Sequence, residues 1–367
     1  MTKTAGRDET VDAFRGLAVI GMILVNHAPP NGEMYSPFIH AQWTGWTMAD
    51  AIFPAFLFLV GYSITLSAAR TAETSAPWMR IWRRTLLLML ISVVLINFPY
   101  YDLNNFRLHG TLFRIAICYL AASTLFYLAP PRLITYTLLA VLALQSALLI
   151  FIQAPEARIG DWDVDLAVSI HLDTKIFGDA VSYLIAGPAP QGLIPTLGAI
   201  ASTLFGLVAG HYLPKCKTPV HKSASLMASG IILLALGIVL SNIIPISKPI
   251  WTPSYAIFMA GLSLQILGLL GWLMESKATL TKAKLLKVAG TNALVFFVLA
   301  QCVQRILVYG RMNIDGEPIQ FRNIIYDHLF APYFLDKFGS LLYTLVFLSL
   351  CYSLIYWLYK QNIFIRL

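Results

Sequence analysis

The sequence predicts an all-α fold, a polytopic helical membrane bundle of about 10 transmembrane helices with both termini in the cytoplasm. Three observations support this prediction. The chain of 367 residues is 58% hydrophobic and 12% charged, about half the charged fraction usual in soluble domains. Its apolar runs repeatedly reach about 18 residues or more, enough to cross a hydrocarbon core of about 30 Å. The loops between these runs carry their basic residues mainly on one side.

The apolar runs place each predicted span. We locate spans near 13–29, 48–69, 81–99, 109–129, 133–153, 194–213, 223–245, 252–273, 288–309 and 338–359. The first run has no small-residue cleavage site behind it, so we expect an uncleaved span. No segment is polar and long enough to fold as a separate soluble unit. Residues 1–367 are therefore predicted to form a single transmembrane domain.

Basic residues set the predicted orientation. Most of the 26 lysines and arginines lie in the loops on the N-terminal side, which makes that side cytoplasmic. The outward loops then lie near 30–47, 154–193 and 310–337. The last two are too long for tight turns and are either lids or solvated linkers. The net charge of +8 is dispersed among loops, which argues against a nucleic-acid partner. The four cysteines have no metal spacing and imply no disulfide framework.

The outward loop before the second span holds a single histidine, His40. An imidazole can take or give a proton near neutral pH. Thr47 and Asp50 follow with the spacing T-x-x-D, which is typical of a capping box at a helix start. Asp50 is therefore either a cap, a catalytic carboxylate or both. Asn26, at the outer end of the first span, either caps backbone carbonyls or donates a hydrogen bond to a polarised carbonyl.

Charged residues inside predicted spans indicate polar cavities. Asp12 and Arg15 are three residues apart and share a helix face. They form either an interfacial ion pair or an anchor for an anionic ligand from the cytoplasm. Arg114 lies about 8 Å into the fourth span, and a charge at that depth normally faces a cavity or a partner. Snorkelling explains either Arg114 or Arg305 alone, whereas the two together predict an outward cavity for anionic groups. Asn292, early in the ninth span, either belongs to the site or bonds a neighbouring helix.

The chain contains no P-loop, G-x-S-x-G, H-E-x-x-H or metal-type His/Cys spacing. The remaining chemistry is a histidine, amides and arginines within a bundle. That set suits either acyl transfer or solute passage, so the alternative to an enzyme is a secondary transporter of a small anionic or sugar-like solute.

Several motifs are similar to those of one known family. In chain order they are Val11-Asp-Ala-Phe-Arg-Gly16, Met22-Ile-Leu-Val-Asn26, His40-Ala-Gln-Trp-Thr-Gly45, Ala49-Asp-Ala-Ile-Phe-Pro54, Arg107-Leu-His-Gly110, Phe113-Arg-Ile-Ala-Ile-Cys-Tyr119, Gly192-Leu-Ile-Pro-Thr196, Leu207-Val-Ala-Gly210, Lys248-Pro-Ile-Trp-Thr252 and Gly290-Thr-Asn-Ala293. Through them the chain resembles the heparan-α-glucosaminide N-acetyltransferase family of membrane acetyltransferases, which has bacterial relatives. The chain departs at Ala189-Pro-Gln-Gly192, where bacterial relatives tend to read D-P-E-G, and this bears on the acceptor.

The resemblance implies a transfer across the membrane. Acetyl-CoA would be the co-substrate, used from the cytoplasm, and the acetyl group would reach an amino sugar or glycan acceptor outside, with N-acetylation favoured over O-acetylation. No metal is expected. The implied location is the bacterial inner membrane, in contact with lipid, and a homodimer is left open.

The resemblance also implies roles for individual residues. His40 matches the family's active histidine and Asn26 its neighbouring asparagine, and His40 acts either as a general base or as a nucleophile that carries the acetyl group. The full predicted set is His40, Asn26 and Asp50 for catalysis, Arg15 and Arg114 for acetyl-CoA, and Arg107, Lys248, Trp251 and Asn292 for the acceptor.

Overall fold

The computed structural model describes residues 8–29, 32–71, 77–101, 110–151, 162, 192–212, 218–275, 283–314 and 316–365. Within these ranges the chain is almost entirely helical, and the predicted all-α polytopic membrane fold is confirmed. The helices are α1 (Glu9–Asn26), α2 (Met48–Thr71), α3 (Trp78–Asn97), α4 (Thr111–Leu128), α5 (Pro131–Phe151), α6 (Leu193–Tyr212), α7 (Pro219–Leu240), α8 (Pro253–Leu273), α9 (Lys284–Thr291), α10 (Ala293–Tyr309), α11 (Phe321–Leu329) and α12 (Asp336–Lys360).

Each of the ten predicted spans corresponds to a helix or to a pair of helices. In the described part of the chain, 7 helices are long and apolar enough to cross a membrane: α2, α4, α5, α6, α7, α8 and α12. Helices α1 and α3 are more charged because each carries three ionised side chains in its first half. The ninth predicted span, 288–309, is broken. Helices α9 and α10 meet at Asn292 with a bend of 79° and would be an eighth crossing if they span together.

Glycines allow the central helices to touch backbone to backbone. A Cβ added at Gly61 of α2 would lie 1.9 Å from the Thr203 carbonyl oxygen, and one at Gly206 of α6 would lie 1.9 Å from the Phe58 carbonyl oxygen. Small residues permit this close approach in membrane helices. Helices α2 and α6 therefore pack against each other in direct backbone contact.

The predicted loop 310–337 is partly ordered. It contains strands β1 (Arg311–Ile314) and β2 (Glu317–Gln320), which form an antiparallel hairpin, followed by α11. Gly316 lies in the turn with φ of 88°, a conformation that favours glycine. Nearly all of the predicted loop 154–193 lies outside the described residues, and so does Arg107.

Candidate active site

One cavity of about 820 Å³ opens at the end of the bundle where α1 finishes and α2 begins. Its volume lies in the range usual for ligand sites. The His40 loop and the loop that joins α7 to α8 form part of its wall. Of the predicted site residues, this outer cavity brings together Asn26, His40, Arg114, Lys248 and Trp251.

Asp50, in the first turn of α2, contacts the His40 loop through both oxygens of its carboxylate. Its carboxylate is fully buried, and Oδ1 lies 2.9 Å from Nδ1 of His40. Oδ2 accepts hydrogen bonds from the backbone N–H groups of Ala41 and Thr47, both at 3.0 Å, and from the Thr47 hydroxyl at 3.1 Å. Asp50 therefore caps the start of α2 and also orients the imidazole. Its catalytic role stays a prediction.

Lys248 completes this cluster from the α7–α8 loop. Its Nζ lies 3.2 Å from Oδ1 of Asp50 and 2.9 Å from Nδ1 of His40. Burial lowers the pKa of Lys248, while the Asp50 carboxylate opposes this shift. The sequence predicted Lys248 as an acceptor ligand. The ammonium contacts the Asp50–His40 pair, and a role of Lys248 toward the acceptor stays a prediction.

Two hydrogen bonds keep the α7–α8 loop in register with the His40 loop and α2. The backbone N–H of Gly45 donates to the Ile246 carbonyl at 2.7 Å, and the Tyr255 hydroxyl donates to the Asp50 carbonyl at 2.7 Å. The loop is closed internally by Thr252, whose hydroxyl accepts from the Ser247 N–H at 3.1 Å. These hydrogen bonds fix the position of the loop that carries Lys248 next to His40.

Trp251 forms a rigid wall of the outer cavity. It adopts a left-handed backbone with φ of 51° and is 1% exposed. Its indole N–H donates to the Ser202 hydroxyl at 3.0 Å, and its carbonyl accepts from Nε2 of Gln145 at 2.8 Å. A Cβ added at Gly198 would lie 2.3 Å from that carbonyl oxygen, so only glycine leaves room for it. Trp251 is therefore held in place by α5 and α6.

Arg114 and Asn26 lie on the same cavity wall. Arg114 is buried in α4, and its guanidinium carbon lies 5.5 Å from the centre of the Trp251 ring. It shares the cavity with His40, as the depth argument predicted. Nδ2 of Asn26 donates to the Met22 carbonyl at 2.8 Å, which is the capping interaction expected at a helix end. A role for Asn26 in catalysis stays a prediction.

A second cavity of about 690 Å³, the inner cavity, lies beside the N-terminal turns of α1. Nη1 of Arg15 donates to Asp12 at 2.9 Å and Nη2 donates to the Ser63 hydroxyl at 3.0 Å. Arg84 also lines this inner cavity, with its guanidinium 4.5 Å from the centre of the Tyr119 ring. The two residues predicted to bind acetyl-CoA are therefore separated, with Arg15 in the inner cavity and Arg114 in the outer.

The two cavities approach each other closely in the middle of the bundle. On α2, Phe53 lines the outer cavity and Phe56 the inner one; on α10, Phe297 and Leu294 do the same. Three residues of helix rise about 4.5 Å. A thin apolar partition therefore lies between the cavities.

Asn292 lies elsewhere than predicted. It is 1% exposed at the break between α9 and α10 and does not line the outer cavity. Its Nδ2 donates to the Ile363 carbonyl at 3.0 Å, and its Oδ1 accepts from the Ile365 N–H at 3.1 Å. Its amide is occupied by the C-terminal segment, which gives it a structural part. Its assignment as an acceptor ligand stays a prediction.

The motif Lys248-Pro-Ile-Trp-Thr252 was recognised in the sequence, but the contact between Lys248 and the His40–Asp50 pair was not predicted. Sequence reasoning also passed over Gln42 and Gln301, which line the outer cavity. His27, adjacent to Asn26, is buried with its Nδ1 2.8 Å from the Ile23 carbonyl and its ring stacked on Phe347. It lines neither cavity.

Known proteins were compared with the chain. Residues 7–159 match the family model described as heparan-alpha-glucosaminide N-acetyltransferase, catalytic. The curated heparan-alpha-glucosaminide N-acetyltransferase of Mus musculus is 27% identical over 80% of this chain and 53% of its own length. The protein of the same name from Homo sapiens is 28% identical over 80% of this chain and 52% of its own length. The chain thus spans about half the length of these relatives, and the resemblance inferred from the motifs is confirmed.

Proposed function

We propose that this chain, a relative of the heparan-alpha-glucosaminide N-acetyltransferases, is a membrane acetyltransferase. It moves an acetyl group from cytoplasmic acetyl-CoA to the amine of an amino sugar or glycan at the outer face. One observation carries the proposal. A histidine oriented by a buried carboxylate stands in one cavity, and an arginine-lined cavity reaches to within one helical turn of it.

The inner cavity has the chemistry that acetyl-CoA requires. Guanidinium groups of Arg15 and Arg84 suit phosphates, which they bind through paired hydrogen bonds. Phe56, Leu59 and Val60 provide an apolar wall toward the partition, which suits an uncharged arm. Asp12 also lines the cavity, but its carboxylate is engaged by Arg15. When bound, acetyl-CoA supplies a thioester as the acyl donor.

His40 is placed to handle the proton of the acceptor. With Nδ1 directed at Asp50, Nε2 is the nitrogen left to receive a proton from the attacking amine. The Asp50 carboxylate stabilises the imidazolium that forms. Arg114 and Asn26 are the groups on the cavity wall suited to the oxygen on which negative charge develops. A covalent role for His40 also requires an unprotonated Nε2.

The outer cavity gives the acceptor its surroundings. Trp43 and Trp251 line it beside amide groups of Gln42 and Gln301, a mixture of aromatic faces and hydrogen-bonding groups that suits a sugar. The positive-inside pattern supports an orientation in which this cavity opens away from the cytoplasm. In a bacterial cell it would face away from the cytoplasm across the inner membrane.

The transporter alternative has less support. Among the described residues, no side chain lines both cavities, and the residues nearest the gap on α2 and α10 are apolar. A solute path would need a polar continuation between them.

The test is acetyl transfer by purified protein in lipid nanodiscs. Radiolabelled acetyl-CoA is supplied with a panel of amino sugars, and product is separated by chromatography. We expect acetylated amino sugar from the wild-type protein. His40→Ala should lose about 10² to 10⁴ of the rate, the usual contribution of a general base.

His27→Ala is the matched control, because His27 is a nearby histidine that lines neither cavity. Its activity per folded molecule should stay close to that of the wild type. Full transfer by a well-folded His40→Ala variant would remove His40 from the mechanism. Absence of any product from the wild-type protein across the panel would contradict the proposed activity.

A further inference from the structure

We propose that Lys248 is a positioning residue that keeps His40 neutral, with its one proton on Nδ1, so that Nε2 can accept a proton. The assignment of Nε2 as the reactive atom rests on the proposed function. The protonation state itself is a property of the protein and can be measured without a substrate.

The Lys248 ammonium lies beside the His40 imidazole rather than on the lone-pair axis of Nδ1. Nζ lies 2.9 Å from Nδ1 and 3.5 Å from Nε2. The lone-pair axis of Nδ1 points away from Nε2, so a donor on that axis would be much farther from Nε2 than from Nδ1. The two distances are too similar for that placement. The ammonium therefore lies beside the ring and is poorly aligned to donate to the Nδ1 lone pair.

The Asp50 carboxylate determines which nitrogen of His40 carries the proton. Its Oδ1 lies 2.9 Å from Nδ1 of His40 and 3.2 Å from Nζ of Lys248. An ionised carboxylate only accepts hydrogen bonds, so the proton between Nδ1 and Oδ1 belongs to the imidazole. The neutral ring has one proton. Nε2 is therefore the unprotonated nitrogen.

Lys248 maintains this state in two ways. It gives the fully buried Asp50 carboxylate a cationic partner, which favours the ionised form that Nδ1–H needs as acceptor. It also places a positive charge beside the ring, which disfavours a second proton on His40. The charged groups facing His40 in the described structure are Asp50 from α2, Lys248 from the α7–α8 loop and Arg114 across the cavity. Removing Lys248 removes one of the two positive charges.

Solid-state ¹⁵N NMR of histidine-labelled protein in lipid tests the inference directly. The chain has 7 histidines, and the His40 signals are those that His40→Gln removes. In the wild-type protein at neutral pH we expect a protonated Nδ1 and an unprotonated Nε2. Lys248→Met should increase the doubly protonated fraction at the same pH, whereas Lys248→Arg should resemble the wild type.

Lys337→Met is the control, because Lys337 is an exposed lysine whose Nζ lies 3.5 Å from Glu33 rather than beside His40. It should leave the His40 signals unchanged. A wild-type spectrum with the His40 proton on Nε2 would overturn the inference. A well-folded Lys248→Met protein with wild-type His40 signals at every pH would also overturn it.

The pH dependence of kcat/KM is a second measurement, and a purely structural role of Lys248 would leave it unchanged. The low-pH limb of kcat/KM for Lys248→Met should shift to higher pH, because a positive charge beside the imidazole disfavours its protonated form and the substitution removes that charge. Lys248→Arg should restore the wild-type limb. An inactive wild-type protein would contradict the proposed function alone, because the spectra still decide the protonation of His40.

Discussion

Arg15 is expected to contribute to the binding of acetyl-CoA rather than to the acetyl-transfer step. Its guanidinium lies in the inner cavity, held by Asp12 and Ser63, and His40 lies in the other cavity. We expect Arg15→Ala to raise KM for acetyl-CoA more than it lowers kcat. Arg15→Lys should restore affinity only in part, because an ammonium cannot form the paired contacts of a guanidinium.

Steady-state kinetics with acetyl-CoA as the varied substrate check this prediction. Arg114→Ala is the comparison, because Arg114 lines the outer cavity. It should mainly lower kcat or raise KM for the acceptor. An unchanged KM for acetyl-CoA in Arg15→Ala would leave Arg15 as an interfacial residue that pairs with Asp12.

At the residue scale, sequence reasoning found the members of the site better than their contacts. The T-x-x-D spacing made Asp50 a cap and a candidate carboxylate, and both interactions are local enough to read from the chain. The contact between Lys248 and His40 joins residues 208 positions apart, so only the tertiary fold creates it. For Asn292 the sequence left two alternatives open, because a buried amide in an apolar run looks the same whether it binds a ligand or a neighbouring backbone.

At the scale of elements, helices α1 and α9 are packed by two glycines. A Cβ at Gly290 would lie 1.8 Å from the Asp12 carbonyl oxygen, and one at Gly16 would lie 1.8 Å from the Leu286 carbonyl oxygen. Backbone atoms cannot move aside as side chains can. Gly290→Ala should therefore force the helices apart and destabilise the protein by about 1 to 3 kcal/mol.

Thermal unfolding in detergent, followed by the fluorescence of a thiol probe, measures this change. Gly21→Ala on α1 is the control, because the nearest atom to its added Cβ is the end of the Ile52 side chain at 3.1 Å. That side chain can rotate away, and alanine favours the helix by about 1 kcal/mol. Equal stability of the two variants would show that α1 and α9 do not require the close approach.

The apolar runs located the helices well, because a span needs a minimum length of apolar residues and little else. The break in the ninth span was not foreseen. Residues 284–309 contain no proline that would signal it. The helix ends at Asn292, whose side chain bonds the backbone of the C-terminal segment. That segment is distant in sequence, so the hydrogen bonds that hold the break could not be predicted from the local sequence.

On the scale of the whole molecule, the mechanism depends on orientation. Gln42 and Lys284 are both exposed and lie at opposite sides of the predicted topology. Single cysteines at these positions in a cysteine-free variant should react differently with a membrane-impermeant thiol reagent applied outside intact cells. We expect labelling of Gln42→Cys and none of Lys284→Cys until the membrane is permeabilised. The reverse pattern would invert the proposed direction of transfer.

The partition between the cavities has an electrical consequence. Its two sides are Phe53 and Phe297 facing outward, and Phe56 and Leu294 facing inward. A cation entering this layer would lose its water and would meet the positive charge of Arg114 beside it, at a cost of many kcal/mol. A short uncharged acyl group pays no such cost. The layer can thus act as an insulator, so that a cell could export acetyl groups here without discharging the voltage across its membrane.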